Sequence, residues 1–108
     1  MSDHLKSFIK PLPLPHSVAG LKRSQVRELL GLSDSQLRRD TWVCQQLQPT
    51  GWRYASGARG YGRGAIEVLW VFRQLVSLMG RTEAISQINQ IMENYHGDED
   101  RQSSRECC

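Results

Sequence analysis

Two short helical segments in this sequence are separated by only the tripeptide Gly31-Leu32-Ser33. The first, residues 24–30, is expected to end at the glycine, because glycine readily adopts the left-handed conformation that closes a helix. The second, from Asp34 to about Gln46, begins with Ser33 and Gln36 at the spacing of a capping box. A connection this short makes the helices cross at a steep angle, which is typical of a helix-turn-helix.

The second helix is predicted to turn polar side chains of its first two turns outward. They are residue types that bind base edges and phosphates from the major groove: Ser35, Gln36, Arg38 and Arg39. Ser33, directly before the helix, is predicted to belong to the same DNA-binding set. The inward positions are predicted to be Leu37, Thr41, Cys44 and Leu47. A plain helical hairpin inside another fold is the alternative interpretation.

Residues 52–63 are predicted to form a two-stranded hairpin, or wing. Trp52-Arg53-Tyr54 places strand-forming aromatic residues around a cation, and Tyr61-Gly62-Arg63-Gly64 leads out of a glycine-rich turn. Such a tip can approach a phosphate backbone closely. We therefore expect backbone contacts from Arg53, Arg59 and Arg63.

The distribution of charge favours the same surface. The net charge is +3, but residues 22–63 hold eight Lys and Arg against three Asp and Glu, a local +5. Seven of these eight cations are arginine, which suits phosphate and guanine edges. Residues 93–106 hold two arginines against five acidic residues, a local −3. A merely solvated basic surface is the alternative.

Two further helices follow the wing. Residues 65–79 place apolar side chains over about half of a helix circumference, with Trp70 on the polar side, where it either packs under the wing or faces a partner. Thr82 is predicted to cap a last helix whose apolar stripe forms either intramolecular core or a dimer seam. The candidate partner-interface residues are Trp70, Ile88, Met92 and Tyr95.

We therefore predict a mainly α fold with a small β wing: about four helices plus a two-stranded hairpin. Residues 1–20 form an extended, proline-containing arm, 21–96 the folded domain, and 97–108 a disordered acidic tail. The sequence contains no run of about 18 apolar residues and no secretory signal core, so a cytoplasmic location is expected, nucleoid-associated in a bacterium. No metal-ligand spacing, cofactor motif or catalytic set is apparent, so we expect no metal, no cofactor and no enzymatic activity.

The order of these parts resembles the DNA-binding domain of the MerR family and the related phage excisionases. The matching residues are Gly31-Leu32-Ser33, Leu37-Arg38, Pro49, Gly60-Tyr61, Ile66, Leu69, Phe72, Leu75 and Gly80. The resemblance implies a winged helix-turn-helix in which Arg38 and Tyr61 bind phosphates and Ser35 and Gln36 lie nearest the bases. Arg39 and Asp40 stand where the family usually has two aromatic residues.

The expected function is sequence-specific binding of double-stranded DNA by a small transcriptional regulator. Two alternatives stay open: an excisionase-like architectural factor that bends DNA, and a protein-interaction adaptor with a winged-helix fold. A homodimer through the last helix or a separate protein partner is compatible with each of them, and no membrane association is expected.

Overall fold

The computed structural model describes residues 9–54 and 60–107, with side chains described as far as residue 94. In this part of the chain, four helices and two short strands are present. They are, in chain order, β1 (Gly20–Lys22), α1 (Arg23–Leu30), α2 (Asp34–Leu47), β2 (Gly60–Gly62), α3 (Arg63–Met79) and α4 (Arg81–Cys107). The predicted class, mainly α with a small β element, is confirmed.

The connection between α1 and α2 forms as predicted. Gly31 adopts a left-handed conformation with φ 66°, and the Leu32 amide donates to the carbonyl of Arg27 at 3.0 Å. The hydroxyl of Ser33 accepts the backbone N–H of Gln36, and the Gln36 side-chain oxygen accepts the N–H of Ser33. The predicted capping box is therefore confirmed, and Leu32 is buried between the two helices.

The strand pairing differs from the predicted wing. β2 pairs antiparallel with β1, which directly precedes α1, in the register Leu21 opposite Tyr61. The segment 52–54 forms no strand. Trp52 is instead buried, and its indole N–H donates to Oε1 of Gln45 at 2.8 Å, so packing on α2 satisfies both its apolar ring and its polar group.

Helix α3 lies at the centre of the core. Seven of its side chains are buried: Ala65, Ile66, Val68, Leu69, Val71, Phe72 and Leu75. Helix α4 follows after Gly80 and packs on α3 through Ala84, Ile88 and Met92, which are fully buried. The prediction of Ile88 and Met92 as a partner interface is therefore wrong, because this stripe is covered by the protein's own α3. The side chain of Tyr95 lies outside the described side chains.

The inward face of α2 is partly different from the predicted one. Leu37 and Cys44 are buried as expected, but Asp40 and Val43 complete this face. Thr41 is only partly buried, and Leu47 is 37% exposed. Asp40, at 1% exposure, is accommodated because Arg73 and Arg81 supply positive charge to its carboxylate.

The N-terminal arm packs against the domain from residue 9 onward. Ile9, Leu12 and Leu14 contact the core, and the indole N–H of Trp70 donates to the carbonyl of Lys10 at 2.8 Å. Trp70 is half-buried and contacts the arm rather than the wing. An arm packed along the domain was one interpretation of the sequence, but its contact with Trp70 was not predicted because the two are far apart in sequence.

At the other end of the chain, α4 continues to Cys107, where the sequence predicts a disordered tail from residue 97. Among the described helices, none is both long and apolar enough to cross a membrane.

Candidate nucleic-acid interface

The outward face of α2 carries most of the predicted site residues. Ser35, Gln36, Arg38 and Arg39 are all exposed, on a helix whose opposite face is buried. The buried face fixes the helix in the domain, so these four side chains are presented from a rigid support. The sequence prediction and the structure agree on their exposure and on their common location in the first two turns.

Asp34, the first residue of α2, forms ion pairs with Arg23 of α1 and Arg38 of α2. Its Oδ1 lies 2.9 Å from Nε of Arg23, and its Oδ2 lies 3.0 Å from Nε of Arg38. The hydrogen bond from Arg23 lowers the pKa of Asp34, so its carboxylate stays ionised to more acidic pH than that of a free aspartate. Since the Arg38 side chain remains 74% exposed, this contact guides it while leaving most of its surface to solvent.

Tyr61 holds β2 against α2. It is 2% exposed, and its hydroxyl oxygen lies 2.8 Å from Oγ1 of Thr41 and accepts from Nη1 of Arg23 at 3.4 Å. Its ring stacks on Tyr54 with 4.8 Å between centroids. Burial raises the pKa of Tyr61, so its phenol stays neutral to more alkaline pH than that of a free tyrosine. The expectation that Tyr61 binds a phosphate from an exposed wing is corrected: it is an internal support of this surface.

Arg63 is likewise engaged inside the protein. As the first residue of α3, it donates to the carbonyls of Leu14 at 2.8 Å and Pro15 at 2.7 Å, and it pairs with Glu67 at 3.3 Å. Its guanidinium group binds the arm, so the prediction that Arg63 contacts the DNA backbone is wrong. Of the other two predicted wing cations, Arg53 is exposed, and Arg59 lies outside the described residues.

Trp42 is a residue of this surface that the sequence interpretation missed. It is 64% exposed on the same helix face as Arg38 and Arg39, which precede it by about one turn. Its spacing from Arg38 was the available signal. Further exposed cations, Lys22 and Arg27, lie on β1 and α1.

No protein-family model, curated protein or solved structure matches this chain. Within the described residues, no group of three or more His, Cys, Asp and Glu side chains could hold a metal ion. The candidate interface is thus defined by its own geometry: an arginine-rich, polar helix face with one exposed indole, braced from behind by buried tyrosine, aspartate and aliphatic side chains.

Proposed function

We propose that this protein binds double-stranded DNA as a winged helix-turn-helix, with α2 in the major groove, and acts as a small transcriptional regulator. The observation that carries the proposal is the exposed row Ser35, Gln36, Arg38 and Arg39 on one face of a rigidly held helix. The major groove, about 12 Å wide, admits an α-helix. Arginine and glutamine side chains supply the donors and acceptors that base edges recognise.

The order of the elements supports the same proposal. α1 and α2 are joined by three residues, and β2 leads into α3 after the segment that follows α2. In this arrangement, the described residues 48–54 that follow α2 lie where a wing would contact the DNA backbone, and Arg53 is an exposed cation among them. This order of helices supports the proposed MerR-like arrangement, from which the protein departs in that β2 pairs with β1 and residues 52–54 form no strand.

Three of the four residues predicted for a partner interface are less exposed than the polar face of α2. Ile88 and Met92 are buried under α3, and Trp70 is half-buried and donates to the arm. We therefore favour DNA as the partner of this domain.

The proposal is tested by titrating labelled duplexes of random sequence with the purified protein at low salt. The double variant Arg38→Ala/Arg39→Ala is expected to bind about ten- to a hundredfold more weakly, because each arginine contact contributes on the order of 1 kcal/mol. Lys10→Ala is the matched control. Lys10 is an exposed cation whose backbone groups, rather than its side chain, hold Gln74 and Trp70.

Absence of binding by the wild-type protein at low salt would contradict the proposal. So would equal affinity of the wild type and the double variant. Because Arg38 also pairs with Asp34, thermal unfolding of each variant is measured in parallel, and affinities are compared at a temperature where every variant is folded.

A further inference from the structure

The indole of Trp42 is the most exposed large hydrophobic side chain among the described residues. Trp42 is 64% exposed and, within the described part of the chain, makes no hydrogen bond or ring contact. The other aromatic side chains near α2 are tied internally: Trp52 to Gln45, and Tyr54 and Tyr61 to each other. Covering an exposed tryptophan ring with an apolar group is favourable, because it removes apolar surface from water.

Trp42 also borders an open groove of about 220 Å³ on this face. The groove runs along α2 and is lined by Arg23, Arg38, Thr41, Trp42, Gln45 and Tyr54. It therefore combines two aromatic rings with two guanidinium groups, of which that of Arg38 is largely exposed. A ligand that fits this lining carries an apolar group next to negative charge or hydrogen-bond acceptors.

DNA presents one apolar group on the base edges of its major groove, the methyl group on C5 of thymine. The same methyl group in the same position is present on 5-methylcytosine. Phosphates and base acceptors surround it at the distances that arginine side chains span. On the proposed binding mode, Trp42 follows Arg38 and Arg39 into the groove and meets the edge of a base pair one helical turn further on.

We infer that Trp42 is a specificity-determining residue that recognises a pyrimidine C5-methyl group in the major groove. The inference rests on the proposed function, since it requires α2 to lie in that groove. In this binding mode, Gln36, Arg38 and Arg39 bind the hydrogen-bonding groups of the bases. The indole of Trp42 contacts the methyl group. Loss of one buried methyl group corresponds to about 0.8 kcal/mol, or about fourfold in affinity.

The test begins with duplexes that the wild-type protein enriches from a random pool. Each thymine of an enriched duplex is then replaced singly by uracil, which removes the methyl group and leaves all hydrogen-bonding groups in place. We expect one or two positions at which uracil weakens binding about fourfold. Trp42→Ala is expected to bind thymine and uracil duplexes equally at those positions, whereas the matched control Leu78→Ala, an exposed aliphatic residue on α3, keeps the discrimination.

A second comparison separates the methyl group from the rest of the base. At the sensitive position, a cytosine duplex is compared with its 5-methylcytosine counterpart, and methylation is expected to raise wild-type affinity by a similar factor but not that of Trp42→Ala. All variants are compared at one salt concentration, low enough for the weakest of them to bind measurably.

The outcomes distinguish this inference from the proposed function. Binding of wild-type protein that is indifferent to uracil at every position overturns the role of Trp42 and leaves DNA binding standing. Retained thymine discrimination in Trp42→Ala, or no response to 5-methylcytosine, overturns it as well. Absence of any duplex binding at low salt overturns the proposed function itself.

Discussion

The carboxylate of Asp40 on α2 lies 3.1 Å from Nη1 of Arg81, the first residue of α4. Arg73 of α3 approaches the same carboxylate at 3.7 Å, so one acidic side chain connects three helices. The guanidinium of Arg81 also lies over the ring of Phe72, 5.8 Å from its centroid. This cluster fixes the helix that carries the candidate interface to the α3–α4 core.

Asp40→Ala is expected to lower the free energy of unfolding by about 3 kcal/mol, because it leaves two arginines without their shared counter-charge. The value lies at the low end for breaking a buried pair, since the two arginine side chains are 31% and 33% exposed and keep some hydration. Urea denaturation measures the change. Glu28→Ala, which removes an exposed acid from α1, is the control, and equal midpoints for the two variants would contradict the assigned role of Asp40.

The stability of the protein at alkaline pH is expected to depend on Tyr61. Its pKa is raised by burial, so the folded state holds the phenolic proton more tightly than the unfolded state does. This stabilisation is fully present below the unfolded pKa of about 10 and is lost as the pH rises through the raised folded value.

Tyr61→Phe is expected to be about 1 kcal/mol less stable at neutral pH, because it lacks the hydrogen bond with Thr41, and to lose less stability above about pH 10. Thr41→Val removes the same hydrogen bond but keeps the phenol, so its alkaline loss is expected to remain. Urea denaturation across a pH series measures both effects. Parallel pH dependence in the wild type and Tyr61→Phe would contradict this account.

Arg63→Ala is expected to release the N-terminal arm. Its guanidinium donates to carbonyls of Leu14, Pro15 and Val18, and hydrogen bonds from a charged donor contribute about 1.5–3 kcal/mol when buried, less here because the side chain is 21% exposed. Hydrogen exchange of arm peptides measures the effect, with faster exchange expected across residues 10–19. Arg53→Ala removes an exposed arginine and serves as the control. An arm that exchanges equally slowly in both variants would show that other contacts hold it.

Cys44 is expected to resist alkylation in the folded protein. Its side chain is fully buried on α2, and burial raises the pKa of its thiol to about 12, so almost no thiolate is present at neutral pH. In a Cys107→Ser/Cys108→Ser background, mass spectrometry after iodoacetamide treatment should find no adduct under native conditions and one adduct in denaturant. Rapid labelling of the native protein would contradict the burial of Cys44 in the core.

Local features of the fold were predictable because the residues that determine them are neighbours in sequence. The left-handed Gly31, the capping box of Ser33 and Gln36, and the apolar spacing of Leu69 and Phe72 each depend on a few adjacent positions. The exposure of Arg38 and Arg39 followed from the same helical periodicity, and so part of the candidate interface was predictable as well.

The features that were missed depend on contacts between distant parts of the chain. Asp40 is buried because Arg81, 41 residues later, supplies its charge partner. Arg63 does not point from the wing toward DNA, because carbonyls of the arm, nearly 50 residues earlier, accept its hydrogen bonds. Likewise, β2 pairs with β1 across α1 and α2, a pairing that no local turn signal indicates. Residue types and periodicity do not specify such partners.

Contact between α2 and DNA phosphates makes the affinity for duplexes depend on salt concentration. If the arginines of α2 contact DNA, the logarithm of the wild-type binding constant falls linearly with the logarithm of salt concentration, and its slope shrinks by about 0.9 for each phosphate contact removed. Arg38→Ala/Arg39→Ala is therefore predicted to bind more weakly and with a shallower slope, while Lys10→Ala keeps the wild-type slope. Identical slopes and affinities for all three proteins, or wild-type binding that does not respond to salt, would contradict the account.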